Sequence, residues 1–212
     1  MKALGMIEVY SFTTAVCVAD VMAKAADVKI IAFDRNRPIR EDVPAPLVME
    51  VKIEGSVSAV KSAIEAGVSY SKGEGKYIVS HVIANPDFET EKMAYLLDLN
   101  KDKYNKNFPK NMKDYPEEKI KDIDNAFGLL EVQGLVAAIE GLDSMVKAAG
   151  VNVIHTEKRL GGRLVTFIVK GEVSAVKAAV EAGKENASRL GKIYGDAVIA
   201  RPHRELSKFF EV

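Results

Sequence analysis

The chain has 212 residues, enough for one large domain or for two domains of about 100 residues each. Thirty Lys and Arg residues balance thirty Asp and Glu residues, which speaks against a strongly basic nucleic-acid surface. The lack of an apolar run of about 20 residues speaks against a membrane span, and the single Cys against an internal disulfide framework. The first residues alternate into a strand pattern without the layout of a signal peptide, so the sequence predicts a soluble intracellular protein.

The first predicted strand and helix recur later in the chain in altered form. Residues 3–28, ALGMIEVYSFTTAVCVADVMAKAADV, match residues 126–151, AFGLLEVQGLVAAIEGLDSMVKAAGV, at a constant offset. Two later segments match at an offset seven residues smaller: GSVSAVKSAIEAG (55–67) with GEVSAVKAAVEAG (171–183), and HVIANPD (81–87) with AVIARPH (197–203). The first copy therefore has about seven extra residues between 29 and 50. A period of about 120 residues is far longer than the roughly 20–50 of a solenoid repeat and indicates duplication of a whole domain.

The segment between the two copies, residues 88–125, has a different composition. It is rich in charged residues and Asn and contains Pro109 and Pro116, so it predicts a solvated connector, with a short helix around 93–97. We therefore divide the chain into a first domain at 1–87, the connector at 88–125 and a second domain at 126–212, and expect each copy to bury its own core.

The second copy carries the clearer secondary-structure pattern. The predicted elements are strands at 129–132, 151–156, 164–170 and 193–200, a helix from about 135 that is capped by Gly150, a tight turn at 158–163, and a helix from about 173 to 191. Apolar residues of the first of these helices recur at helical spacing and predict one apolar stripe: Leu135, Ala138, Ile139, Leu142, Met145, Val146 and Ala149.

The order β-α-β-β-α-β is typical of the ferredoxin-like split arrangement. The first copy repeats this order with a longer middle loop. The fold class is therefore α+β, with two tandem ferredoxin-like domains.

Three segments of the second copy closely resemble the bacterial microcompartment (BMC) shell domain: residues 126–154, GGRLVTFIVKGEVSAVKAAVEAG at 161–183, and AVIARPH at 197–203. The resemblance covers essentially all of 126–205 and, more weakly, 3–87. Two copies in one chain imply the tandem-domain class in its unpermuted order, in which three chains form a flat trimer that imitates a hexamer of single-domain subunits. The resemblance implies a structural, non-catalytic tile of a cytoplasmic microcompartment shell, with a central pore for metabolites. Its partners would be further copies of itself and, at the tile edges, other shell proteins, with no nucleic acid and no membrane.

The resemblance also places the turn of the second copy at the centre of the ring, where its residues would line the pore: Arg159, Leu160, Gly161, Gly162 and Arg163. Glycine allows positive φ, and exposed N–H groups beside arginines favour small anionic or polar solutes. An ordinary hairpin turn is the alternative interpretation.

The matching loop of the first copy, FDRNRPIREDVPAPL at 33–47, contributes Arg35, Arg37, Pro38 and Arg40 to the same candidate pore. Its three prolines stiffen it and prevent regular strand pairing. This loop either narrows, caps or gates the opening, or points away from the axis.

By the same resemblance, Lys24, Lys147 and Arg201 lie at the tile edge, where neighbouring tiles meet. Asn85 stands in the first copy at the position of Arg201. The alternative for the two lysines is a stabilising cation at a helix C-terminus.

No metal or cofactor is predicted. Some tandem members of the family bind an iron–sulfur cluster through a cysteine in the central loop, but the one cysteine here, Cys17, lies in the first helix. The three histidines have no zinc-ligand spacing. The other function considered is a small-molecule-binding regulator built from tandem ferredoxin-like domains; an RNA-binding module is disfavoured because Phe167 is the one aromatic residue of its strand.

Overall fold

The computed structural model of the protein describes residues 2–36, 38, 43–87, 90, 94, 120–158 and 161–210. Copy one (residues 1–87) contains β1 (Ala3–Tyr10), α1 (Phe12–Ala25), β2 (Val28–Asn36), β3 (Val48–Gly55), α2 (Val57–Gly73) and β4 (Tyr77–Ile83). Copy two (residues 126–212) contains β5 (Ala126–Gln133), α3 (Leu135–Ala148), β6 (Asn152–Glu157), β7 (Leu164–Gly171), α4 (Val173–Ser188), β8 (Ile193–Ile199) and a 3₁₀ helix (Arg204–Lys208). The predicted βαββαβ order and the α+β class are confirmed in both copies.

Each copy forms one four-stranded antiparallel sheet, with strand orders β2-β3-β1-β4 and β6-β7-β5-β8. A glycine at the same place in each central strand lets the second helix approach closely. A β-carbon at Gly5 would lie 2.7 Å from Cγ1 of Val60 on α2, and one at Gly128 would lie 2.7 Å from Cγ1 of Val176 on α4. The repeat is therefore structural as well as sequential.

The end of α3 differs from the prediction that Gly150 caps it. The C-cap position is held by Ala149, whose backbone is extended (φ −158°, ψ 161°), and Gly150 lies beyond it. The helix α1 ends in the same way at Ala26, with φ −158° and ψ 161°. The chain leaves both helices through an extended residue, so no glycine in the left-handed region is needed.

The expectation that each copy buries its own core holds only in part: copy two has two buried clusters of its own, but the largest cluster runs across both copies. It joins Phe12, Val16 and Phe33 of copy one to Phe127 of copy two and Phe209 near the C-terminus. The rings of Phe33 and Phe209 pack edge to face, with their centroids 4.9 Å apart. The helix α1 makes this possible because 11 of its 14 residues are buried, on more than one of its sides.

Most of the connector lies outside the described residues, and the parts within them are not simply solvated as predicted. Ala94 is helical, 4% exposed, and packs with Leu4, Ile31 and Ala32. The backbone N–H of Lys121 donates to Oγ of Ser207 (2.9 Å). Among the helices of the described ranges, none is long and apolar enough to span a membrane.

Candidate assembly surfaces

The seam between the two copies is organised around a buried carboxylate, Glu131 on β5. Its Oε2 accepts hydrogen bonds from Oγ of Ser11 (2.7 Å) and from the backbone N–H of Thr13 (2.9 Å), where α1 begins. Copy two thus supplies the acceptor that the N-terminus of a copy-one helix needs. Burial raises the pKa of Glu131, while the hydrogen bonds from Thr13 and Ser11 oppose this rise.

Sequence reasoning did not single out Glu131. The signal was present: a lone Glu stands between Leu130 and Val132 in an otherwise apolar strand.

The segment after β8 also connects the two copies, through hydrogen bonds to the edge strand β2. Oε2 of Glu205 accepts from the backbone N–H of Ile30 (2.8 Å), and Nζ of Lys208 donates to the carbonyl of Ile30 (2.7 Å). Glu205 and Lys208 also pair with each other at 2.6 Å. Because β2 is an edge strand, the N–H and C=O of Ile30 have no partner strand on that side, and these two side chains form hydrogen bonds with them instead. The backbone N–H of His203 donates to Oδ1 of Asp20 (2.7 Å), which ties the end of copy two to α1.

The helix α3 is the counterpart of α1, but within the described ranges no segment covers its equivalent side chains. Four side chains on α1 are between 0% and 6% exposed: Phe12, Thr13, Val16 and Ala23. Their counterparts on α3 are strongly exposed: Leu135 (64%), Val136 (71%), Ile139 (59%) and Val146 (40%). The predicted apolar stripe is therefore split, since Ala138 and Met145 face the core of copy two while these residues face outward.

The edge strand β6 beside α3 is open as well. Val153, the counterpart of Ile30, is 42% exposed, whereas Ile30 is 1% exposed. A cleft of about 540 Å³ lies along this strand, bordered by residues 153–156 and 208–210.

The sheets show the reverse pattern. In copy two a row of residues paired across the strands is buried: Gly195, Glu131, Thr166 and Glu157. The corresponding row of copy one is uncovered or half-buried: Val79, Glu8, Glu50 and Asp34. Val79 is 50% exposed. One face of α3 and the sheet face of copy one are therefore exposed. They correspond to α1 and the copy-two sheet, which pack on each other inside the chain.

The predicted turn of copy two has the expected backbone. Gly161, Gly162 and Arg163 all adopt positive φ, at 86°, 60° and 61°. A β-carbon at Gly162 would lie 3.0 Å from Cγ of Pro46, so this turn contacts the end of the copy-one loop. Arg35 is exposed at the end of β2.

Of the other candidate pore residues, Pro38 is half-buried. Arg37, Arg40, Arg159 and Leu160 lie outside the described residues.

The candidate edge lysines occupy equivalent positions in the last turns of α1 and α3. Nζ of Lys24 lies 2.6 Å from Oδ2 of Asp20, and Nζ of Lys147 lies 2.6 Å from Oδ2 of Asp143. The hydrogen bond and the charge of Asp143 raise the pKa of Lys147. Arg201 is exposed, and it borders a cleft of about 520 Å³ together with Lys24.

The same cleft reaches Cys17, which is buried. Burial raises the pKa of this thiol to about 11, so it is protonated at neutral pH. Within the described ranges, no group of three or more His, Cys, Asp or Glu side chains is arranged to hold a metal ion.

Comparison with known proteins agrees with this two-copy architecture. The model of the BMC domain matches twice, at residues 3–86 and 126–202. The bacterial microcompartment shell protein EutM of Salmonella typhimurium is 46% identical over 87 residues, which cover 41% of this chain and 90% of EutM. The carboxysome assembly protein CcmO of a Synechococcus species is 32% identical over 205 residues, which cover 96% of this chain and 67% of CcmO.

A crystal structure of a microcompartments protein from Desulfitobacterium hafniense covers 98% of both chains at 24% identity and a TM-score of 0.37. The two matches to the domain model, together with a relative aligned across both copies, decide the family. The chain belongs to the bacterial microcompartment shell proteins and carries their BMC domain twice.

Proposed function

We propose that this protein is a structural, non-catalytic tile of a cytoplasmic bacterial microcompartment shell, and that three chains close into a ring that imitates a hexamer. The observation that carries the proposal is the match between the two uncovered surfaces. Leu135, Val136 and Ile139 on α3 are exposed, and packing on a sheet face like the one that copy one exposes would bury them. A second copy of this chain offers that face, and its own exposed helix can pack on a third copy in the same way.

A head-to-tail contact of this kind joins two different surfaces, so it forms a ring where the rotation closes. The family resemblance gives three as the number of chains. Burying an exposed Val, Leu or Ile side chain contributes about 1.5–3 kcal/mol, so the apolar face of α3 supplies a substantial driving force.

Polar groups support the same contact. The helix α3 begins after Gly134, and no described side chain accepts a hydrogen bond from its first N–H groups. Glu8 holds in copy one the place that Glu131 holds in copy two, and it is half-buried. In the proposed ring Glu8 accepts from the backbone N–H of Val136 in the next chain, just as Glu131 accepts from that of Thr13.

The candidate pore and edge residues keep the roles that the resemblance gives them, within the domains 1–87 and 126–212 and the connector 88–125. The turn at 158–163 and the loop at 33–47 surround a central passage for small polar or anionic metabolites. The contact between Gly162 and Pro46 supports this, because it shows that the two loops of one chain lie together. Lys24, Lys147 and Arg201 contact other shell proteins at the tile edges.

Sedimentation analysis and electron microscopy test the proposal. We expect a species of three times the 23.1 kDa mass of one chain, and extended sheets at high concentration. A chain that stays monomeric or dimeric, forms no sheets and binds a metabolite tightly would instead identify the regulatory alternative. Deleting residues 36–42 is expected to widen the central passage in a structure of the ring, and an unchanged opening would contradict the pore role of this loop.

A further inference from the structure

We infer that Val79 and Gly134 determine which surfaces pair in the ring, because together they make the seam between chains sterically incompatible with the seam inside a chain. The inference rests on the proposed ring, in which α3 of one chain lies on the copy-one sheet of the next. It identifies the residues that select the pairing.

The seam inside the chain depends on a glycine in the sheet. Gly195 on β8 pairs with Glu131 and lies beneath the start of α1. A β-carbon at position 195 would lie 2.8 Å from Cβ of Thr13 and 3.0 Å from Oγ of Ser11. Non-bonded carbon atoms settle at about 3.5–4.0 Å. Glycine at 195 therefore gives the Ser11 hydroxyl room to reach Glu131.

At the seam between chains, each of these residues is replaced by its counterpart in the other copy. Val79 stands for Gly195, Gly134 for Ser11 and Val136 for Thr13. The sheet has gained an isopropyl group, and the start of the helix has lost a hydroxymethyl group. Around Gly134 there is space for the valine: the nearest described atom to a β-carbon there is Nη2 of Arg163, at 3.8 Å.

The space lost to Val79 is not fully regained at Gly134, since Val136 is as large as Thr13. If the seam between chains had the same geometry as the seam inside a chain, Cβ of Val79 would lie 2.8 Å from Cβ of Val136, as a β-carbon at Gly195 would from Cβ of Thr13. The seam between chains must therefore be about 1 Å wider at this point, which brings these two β-carbons to normal contact distance. The ring is three-fold and not six-fold symmetric here.

The same residues disfavour the wrong pairings, which become possible only when the seam inside a chain opens and exposes α1 and the copy-two sheet. Copy one docked on copy one would place Ser11 against Val79, where both sides are bulky. Copy two docked on copy two would place Gly134 against Gly195 and leave a cavity. Both errors cost free energy, so the pair selects strict alternation of copies around the ring.

The test uses the full-length chain with Gly134→Ser, Val79→Gly and the double variant, and measures the chain concentration at which half of the rings have dissociated. With Val79 present, Gly134→Ser is expected to raise this midpoint about tenfold or more. With Gly at position 79, the same Gly134→Ser change is expected to leave the midpoint unchanged or lower it. Gly134→Ala is the matched control, because it shares the positive φ of 103° without the hydroxyl group. Thermal unfolding of each variant checks that the chain is folded.

The outcomes separate the two proposals. Wild-type chains that keep the mass of a single chain would overturn both the ring and the pairing role. Rings whose midpoint rises by the same factor with Gly134→Ser on either background would leave the ring standing and overturn the role of Val79 and Gly134. A Gly134→Ala effect as large as that of Gly134→Ser, and independent of residue 79, would likewise assign the effect to backbone strain.

Discussion

The first helices of the two copies have related sequences and the same length, yet they lie in opposite environments. The helix α1 is buried because copy two and the C-terminal segment cover it, while α3 presents Leu135, Val136 and Ile139 to solvent. In the proposed ring, one of two related contacts has become part of the fold and the other forms on assembly. The same apolar position would then serve chain stability in copy one and chain association in copy two.

The largest expected effect comes from placing an acid at this position in each helix. Val16→Asp buries a carboxylate without a partner and is expected to lower the free energy of unfolding by about 3–5 kcal/mol. Ile139→Asp is expected to leave the chain folded and to weaken ring formation by about 100-fold or more. Circular dichroism and sedimentation measure the two effects. Equal loss of folding in both variants would contradict the division between fold and assembly.

The two equivalent glutamates sharpen the same comparison. Glu131→Ala leaves Ser11 and Thr13 without their acceptor and is expected to cost about 2–4 kcal/mol of unfolding free energy. Glu8→Ala is expected to change that free energy by less than about 0.5 kcal/mol while weakening the ring. Chemical denaturation of monomeric protein, in the Ile139→Asp background, measures the first quantity for both variants. A destabilisation by Glu8→Ala equal to that by Glu131→Ala would show that the two sites do not differ.

A smaller effect is expected from pH. Burial raises the pKa of folded Glu131 above its ordinary value of 4.5, so the folded chain keeps this proton after the unfolded chain has lost it. The resulting contribution to stability is complete below pH 4.5 and is lost as pH rises through the folded pKa. Glu131→Gln keeps a hydrogen-bond acceptor and removes the titration. We expect the stability difference between wild type and this variant to change across that window, and a constant difference would contradict the raised pKa.

The smallest expected effect concerns the tile edge. Lys147→Ala removes an exposed ion pair with Asp143, which solvent screens strongly. It is expected to leave trimers intact and to reduce the formation of sheets seen by electron microscopy. Lys177→Ala, at an exposed position on α4, is the matched control. Dissociation of the trimer by Lys147→Ala would place this residue at the seam instead of the edge.

Periodicity and the internal repeat were sufficient to predict both βαββαβ units, because each element has a strong apolar pattern. They could not predict that the cores merge, since the stripe of α1 and that of α3 read alike although different surfaces cover them. Glu131 was missed for a related reason: its burial depends on Ser11 and Thr13, more than 100 residues away. The glycines of the turn at 161–162 were predictable because positive φ is a local requirement.

The central claim, that the start of α3 docks on the copy-one sheet of another chain, is tested most directly by disulfide trapping. Val79→Cys and Val136→Cys chains are co-expressed with distinguishable tags and oxidised, and Cys17 stays inert because it is buried. The account predicts a covalent dimer containing one chain of each kind, since the β-carbons approach within the roughly 3.5–4.5 Å that a disulfide needs. A covalent dimer from Val79→Cys chains alone, or no mixed dimer while the chains are assembled, would contradict it.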